Sequence, residues 1–251
     1  MLLIHMSDLH CGKHSEFNPK ALKNAIDEIN SLNPDIVVIT GDLTHNGLVT
    51  DYKIAKENLD KIECERKIIG TGNHDYKLTG YLLCNKYFKK PEILNYKNFL
   101  ILYLSTARPD KDEGEVGYRQ QLWLKKILTE KKNRGKFKII CLHHHLIPIP
   151  DTGLERATVT DAGDVIKVIQ QTSPQLILCG HRHRPWKLNF GNSTIINSGT
   201  VSSLRFRGFF ANSYNVIKIK DNKIDAKIKV VDNGLIDFEK ILKEEKPFIF
   251  P

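Results

Sequence analysis

The chain lacks the cysteine pattern of a disulfide-bonded or zinc-stapled fold. Its five cysteines (Cys11, Cys64, Cys84, Cys141 and Cys179) are odd in number, widely spaced and never arranged as CxxC. That excludes a disulfide framework and a zinc knuckle and fits a reducing, cytoplasmic setting. No apolar run approaches the ~18–20 residues needed to span a bilayer, so no membrane partner is expected. The opening Met1-Leu2-Leu3-Ile4 is too short for the apolar core of a signal peptide. Internal repeats, low-complexity tracts and linkers are missing too. A single domain over residues 1–251 is the expectation, with about 186–251 completing a second sheet. Aromatic residues make up only 8%, and none form a stacking platform beside the basic clusters, which weighs against single-strand nucleic-acid binding.

Positive charge is plentiful. Lysine and arginine number 38 against 29 acidic residues, a formal charge of +9. This permits an anionic substrate or nucleic acid without demanding either. Residues 119–138 read as a solvated basic helix face. Arg182, Arg184, Lys187, Arg205 and Arg207 lie closer to the chemistry described below.

Strand and helix patterns alternate through the first three quarters. Residues 2–6 read as a short strand. In 19–32, Ala21, Leu22, Ala25, Ile26, Ile29 and Leu32 share one helical face. Asn18-Pro19 is a start signal, a capping side chain before proline at the first helical position. Residues 35–40 (DIVVIT) form a fully buried strand, 48–62 a second helix and 66–71 a third strand. Two such βαβ units imply a parallel sheet with right-handed crossovers. Further strands fall at 99–105, 137–142 and 175–179. Helices fall at 120–132, with Leu122, Trp123, Ile127 and Leu128 inward, and at 161–171. From 186 to 231 short strands dominate, with Asp221-Asn222 as a hairpin turn. The loop 108–117 is polar and expected to be exposed.

Five motifs follow one another in the chain: Asp8-Leu9-His10, Gly41-Asp42, Gly72-Asn73-His74-Asp75, His143-His144-His145 and Gly180-His181-Arg182-His183. All but the third stand directly behind an apolar strand pattern, and strand ends of an α/β sheet open into one crevice. Carboxylates and imidazoles are the ligands of catalytic metals. Asp8 and His10, two apart on a strand end, are expected to point the same way and grip one ion. Asp42 has two oxygens and could bridge two ions. Asn73 offers a neutral amide oxygen. His181 and His183 are again two apart.

This order of motifs closely resembles the calcineurin-like metallophosphoesterase superfamily, whose signature runs D-x-H, G-D, G-N-H-D/E, H, G-H-x-H. The match spans Asp8 to His183. The stretch Gly41-Asp42-Leu43-Thr44-His45-Asn46-Gly47 and Gln121-Leu122-Trp123-Leu124 look most like the class III cyclic-nucleotide phosphodiesterases and their glycerophosphodiesterase relatives. His74, where the lipid A pyrophosphatase branch usually has arginine, argues against that branch.

The resemblance implies a four-layer α-β-β-α sandwich, two packed mixed sheets flanked by helices. It implies two divalent or mixed-valence transition metal ions, Mn, Fe or Zn, held by Asp8, His10, Asp42 and His183 and by Asp42, Asn73, His143 and His181. Relatives often read H-H-P-P where this chain has a triple histidine. His143 is chosen as the ligand because it comes first after the strand, with His144 as the alternative. His74 would be the general acid. A hydroxide shared by the ions would attack phosphorus. Asn46, Tyr76, His145, Arg205 and Arg207 are candidate substrate contacts. The expected activity is hydrolysis of small phosphodiesters such as cyclic nucleotides, by a monomer or homodimer. A nuclease acting on DNA or RNA is the competing reading, and a scaffold that kept the fold without the chemistry is a third.

Overall fold

The computed structural model describes residues 1–89, 93–154 and 157–243. Two six-stranded sheets pack face to face with helices outside. The first contains β1 (Leu2–Met6), β2 (Ile36–Ile39), β3 (Lys67–Ile69), β10 (Ser213–Lys220), β11 (Lys223–Val230) and β12 (Leu235–Asp237), in the order β12-β11-β10-β1-β2-β3. The second contains β4 (Ile93–Tyr96), β5 (Phe99–Leu104), β6 (Phe137–Leu142), β7 (Leu176–Cys179), β8 (Trp186–Phe190) and β9 (Ser193–Asn197), in the order β4-β5-β6-β7-β9-β8. Both sheets are mixed. β1, β2 and β3 run parallel, as do β5, β6, β7 and β9, while the outer strands turn antiparallel.

Three apolar layers hold the sandwich. Leu3, Val38, Ile101, Ile139, Leu178 and Ile217 meet between the sheets. α1 (Pro19–Leu32) and α2 (Val49–Leu59) cover the outer face of the first sheet, placing Leu22, Ile26 and Tyr52 against Ile4, Val37 and Ile39. α4 (Tyr118–Thr129) and α5 (Ala162–Thr172) cover the second, with Leu124 and Val165 against Leu102, Ile140 and Ile177. Strands buried on both faces explain the unalternating runs IVVI and LILC. α3 (Gly80–Tyr87) and α6 (Phe238–Lys243) complete the helices.

Several expectations need correction. The stretch from 186 onward does not complete one sheet. β8 and β9 join the second sheet, whereas β10, β11 and β12 join the first, where β10 pairs antiparallel with β1. Leu122 is exposed and Leu124 takes the inward place on α4, because Gln121, Leu124 and Leu128, three and four apart, share the face turned to the sheet and Leu122 does not. Leu32, at the end of α1, is also exposed. In the loop 108–117, Gly114 and Val116 are buried.

Candidate metal centre

β1, β2, β3, β6 and β7 all end at one edge of the sandwich, and the five motifs follow those ends. The first two loops run side by side. The amides of Asp8, His10 and Cys11 donate to the carbonyls of Gly41, Asp42 and Leu43 at 3.0, 2.9 and 3.0 Å. This continues the β1–β2 ladder past the strands and fixes Asp8 and His10 against Asp42. Cys11 is buried among apolar side chains here, and burial pushes its thiol far above its ordinary range.

Strand alternation is not what aims Asp8 and His10. β1 stops at Met6, and both residues sit beyond it with left-handed backbone, φ 56° and 49°. Asp42, His181 and His183 are left-handed too, at 50°, 74° and 53°. Each such residue costs roughly 1–2 kcal/mol. Strain of this kind collects at functional sites, where surrounding structure holds it in place. Gly72 and Gly41 make the approach possible. A Cβ on Gly72 would lie 2.2 Å from Asp42 Oδ1, and one on Gly41 (φ 119°) would strike the Gly72 amide at 2.6 Å.

The side chains form two clusters that share Asp42. In one, His10 Nε2 lies 2.9 Å from His183 Nε2, and His183 Nε2 lies 3.4 Å from Asp8 Oδ1. In the other, the Asn73 amide oxygen faces His143 Nε2 at 3.2 Å and His181 Nδ1 at 3.0 Å. Asp42 Oδ2 is 3.6 Å from His10 Nε2 and 3.4 Å from His143 Nε2. Its other oxygen accepts the His74 amide at 2.8 Å. His183 Nδ1 donates to the Arg205 carbonyl at 2.5 Å and His143 Nδ1 to the Thr40 carbonyl at 3.1 Å. Those bonds leave the Nε2 lone pairs facing the clusters, the usual outer-shell arrangement of a ligating imidazole.

The donors fit cations. Two buried carboxylates, the Asn73 amide oxygen and four imidazoles converge, a donor set that positive charge between them stabilises, whether protons or metal ions. Burial alone raises Asp42, but His143 and His74 outweigh it and hold the carboxyl well below its usual range. Burial also pulls His143 down, yet Asp42 and Asp8 override it and lift the imidazole to about 9. Burial keeps His10 and His181 well below the ordinary histidine value. Mixed nitrogen and oxygen donors suit transition metals better than Mg²⁺ or Ca²⁺.

His143 faces both Asp42 and Asn73, whereas His144, although near His143 and His181, has its ring nitrogens bonded elsewhere. Both His144 ring nitrogens are committed elsewhere, Nδ1 to Thr106 Oγ1 at 2.8 Å and Nε2 to the Asp112 carbonyl at 3.0 Å. His145 does not face solvent: it is buried, with its ring stacked on His181. Tyr76 packs against the apolar layer under α2. His74 has Nδ1 2.6 Å from the His45 carbonyl and 2.8 Å from Lys77 Nζ. Burial is the main cause that pulls its imidazole below the ordinary value. His74, Arg205 and Arg207 line a cavity of about 300 Å³ over the clusters. Asn46 lines a neighbouring one of about 350 Å³.

The sequence reading passed over Asp75. It is fully buried and accepts from the amides of Leu43, Thr44 and Gly72 and from the Thr44 hydroxyl, at 2.8–3.1 Å. It thus ties the loop bearing Asn73 to the loop bearing Asp42. The signal was present in its place as the last residue of the GNHD block.

Residues 1–185 match the calcineurin-like phosphoesterase family, well over half of the chain. The chain belongs to that family. Membership makes it a metal-dependent phosphoric ester hydrolase. A probable cyclic nucleotide phosphodiesterase of Synechococcus sp. (strain WH7803) is 26% identical over 203 residues, covering 74% of this chain and 75% of that protein. A probable glycerophosphodiester phosphodiesterase of Arcobacter nitrofigilis is 27% identical over 209 residues, covering 73% and 72%. Among solved structures, a dimetal phosphatase from Danio rerio superposes with a TM-score of 0.66 at 13% identity, covering 94% of this chain and 98% of that one. At that identity the likeness speaks for the sandwich fold. Among the described residues, no helix is long and apolar enough to cross a membrane.

Proposed function

We propose that this phosphoesterase hydrolyses small phosphodiesters, cyclic nucleotides among them, at a centre of two transition-metal ions, Mn, Fe or Zn. The observation that carries the reading is the position of Asp42 Oδ2, within 3.6 Å of a ring nitrogen from each cluster. One carboxylate facing both sides is what a shared ligand requires. Asp8, His10, Asp42 and His183 would hold one ion, and Asp42, Asn73, His143 and His181 the other. Bound there, such ions polarise phosphoryl oxygens and make water a nucleophile at neutral pH.

The protein's own groups do the rest. Arg205 and Arg207, on the rim of the cavity over the clusters, attract the anionic phosphate and offset charge on its outer oxygens. The His45 carbonyl accepts from His74 Nδ1, so Nε2 can protonate the departing oxygen only from the charged ring, a form that burial disfavours and that Asp42 and the His45 carbonyl favour. The relatives named above, called phosphodiesterases of cyclic nucleotides and glycerophosphodiesters, support a small diester over a polymer. We place the protein in the cytosol, which suits five free, buried cysteines.

The test is a phosphoester panel with Mn²⁺, Fe²⁺ or Zn²⁺, run beside metal analysis. Turnover of cyclic nucleotides and bis-p-nitrophenyl phosphate with two ions per chain is expected. Cleavage of oligonucleotides that falls steeply with salt, without small-diester turnover, would overturn the reading in favour of a nuclease.

A further inference from the structure

A further group of metal-binding side chains lies outside the two clusters. His14, Glu16 and His45 each present a ligand atom, and these atoms lie within 4.8 Å of one another. None of the three belongs to the ligand sets above. His14 and His45 are half-buried, and the His45 ring centroid stands 5.8 Å from that of His10 and 5.4 Å from that of His74.

Two loops bring the three residues together. The Cys11 amide donates to the Leu43 carbonyl and the His45 amide to the Cys11 carbonyl, both at 3.0 Å. Farther along, the Leu204 amide donates to the Glu16 carbonyl at 2.7 Å, and Phe17 bridges to Ser203. Beyond His45, Asp51 accepts the Asn46 amide at 3.0 Å. The backbone under all three side chains is therefore held before any ion arrives.

The rings are set to ligate. His14 and His45 stack with centroids 3.7 Å apart and planes 25° apart. His14 Nε2 donates to the His10 carbonyl at 3.0 Å, which leaves the lone pair on Nδ1. That lone pair meets only a long contact, the Glu16 amide at 3.3 Å. A ring backed by a carbonyl repeats the arrangement of His143 and His183. His45 Nδ1 is buried without a hydrogen-bond partner, a state that folded proteins seldom tolerate. Burial and His14 hold the His45 imidazole down at about 4, so the ring is uncharged at neutral pH and has a lone pair to give. Glu16 supplies the negative charge.

Two imidazoles and a carboxylate, with a fourth position open to water, make a three-ligand zinc site. Tetrahedral zinc sets such donors ~3.3–3.5 Å apart, from bond lengths of about 2.0–2.2 Å, so this group must close by about 1 Å. A turn of the Glu16 side chain and a small tilt of the stacked rings suffice.

We propose that His14, Glu16 and His45 form a third, exchangeable site for a single Zn²⁺ or similar transition-metal ion, separate from the paired centre. Its ligands are partly open to water and no carboxylate ties its ion to a neighbour, so it is the weakest of the three and empties on desalting.

Equilibrium dialysis of the intact chain against rising free Zn²⁺ tests this. A first plateau at the paired centre is expected, then one further ion at much higher free zinc. His14→Gln and Glu16→Gln should each weaken that last step by more than the roughly tenfold that even outer-shell changes cost. Both should keep the first plateau and near-native circular dichroism, which shows that they fold. With Co²⁺ in place of zinc, the last ion should add visible absorption of the tetrahedral type, and His14→Gln should remove it. A wild type that takes up no further ion, or a further ion bound equally well by both variants, overturns the inference. A first plateau other than two ions counts against the paired centre instead, and the difference between wild type and variants in the last step still decides the third site.

Discussion

His10 Nε2 and His183 Nε2, 173 positions apart in the chain, point at each other across 2.9 Å. His183 Nδ1 is spent on the Arg205 carbonyl, so its Nε2 has only a lone pair to offer. Without metal, a proton on His10 Nε2 bridges the two rings; a metal ion would take that proton's place. Replacing His183 by Ala should therefore lower bound metal from two ions per chain to one, because the His143–His181 cluster stays complete. Turnover should drop by more than the roughly 10–100-fold that outer-shell changes cost. Metal analysis after desalting decides it, and two ions retained would remove His183 from the ligand set.

Asp42 is the residue on which both clusters depend. Asp42→Ala should strip both ions and abolish measurable turnover. The protein should still fold, because the same change removes a buried carboxyl facing another at Asp75, whose own carboxyl is raised to about 7 by burial and by Asp42. Near-native circular dichroism with no bound metal is the expected pair of results; two ions in a folded Asp42→Ala protein would contradict the sharing.

His74→Ala should leave metal content at two. Its cost should depend on the leaving group, roughly 10²–10⁴-fold for alkyl esters and much less for p-nitrophenyl esters, whose departing oxygen needs no proton. Equal losses on both would assign His74 to phosphate positioning rather than proton donation.

Much of this arrangement was legible in the sequence. Asn18-Pro19 marked the start of α1, where the Asn18 side chain accepts the Ala21 amide and Pro19 opens the helix. Asp221 and Asn222 turn the β10–β11 hairpin with φ of 50° and 60°, the left-handed pair that such turns need. The motif order put the ligand types in one crevice because strand ends of parallel sheets face one way. What stayed hidden depends on distant contacts. Nothing local in 213–237 says that β10 pairs with β1 more than 200 positions away. The choice between His143 and His144 is made by Thr106 and Asp112, which capture His144 from another loop. α3 begins at a glycine and leaves Leu82 exposed, so its pattern is too weak to read.

Asp75 should matter more to folding than to chemistry. Its carboxylate accepts four donors that have no water to turn to. Asp75→Ala leaves them unpaired, at about 1–3 kcal/mol for each group fully lost, less where the loops relax. A loss of roughly 3 kcal/mol in urea unfolding is expected, along with weaker metal retention as the Asn73 loop drifts from Asp42. Asp75→Asn keeps one acceptor oxygen and should lose less. Unchanged stability in Asp75→Ala would show that the loops are held by other means.

His5 gives the fold a pH dependence that its sign makes testable. It is fully buried on β1, where the Asn215 amide donates to Nδ1 at 3.1 Å and the remaining Nε2 proton goes to Thr40 Oγ1 at 3.0 Å. This pairing satisfies only the neutral ring, and burial lowers the imidazole from 6.5 to about 3. Below pH 6.5 the unfolded chain takes up a proton that the folded one refuses. Stability from this residue is therefore complete above pH 6.5 and is lost as pH falls toward 3, at about 1.4 kcal/mol per unit where the slope is steepest. His10, His45, His144 and His181 are also held low by burial and act in the same direction, whereas the raised His143 acts in the opposite one, so the comparison must be with His5→Gln, which does not titrate. Between pH 6 and 4.5, the unfolding free energy of the metal-free wild type should fall by roughly 2 kcal/mol more than that of the variant. Parallel curves would mean that the ring can take a proton in place, with Asn215 or Thr40 turning to accept it.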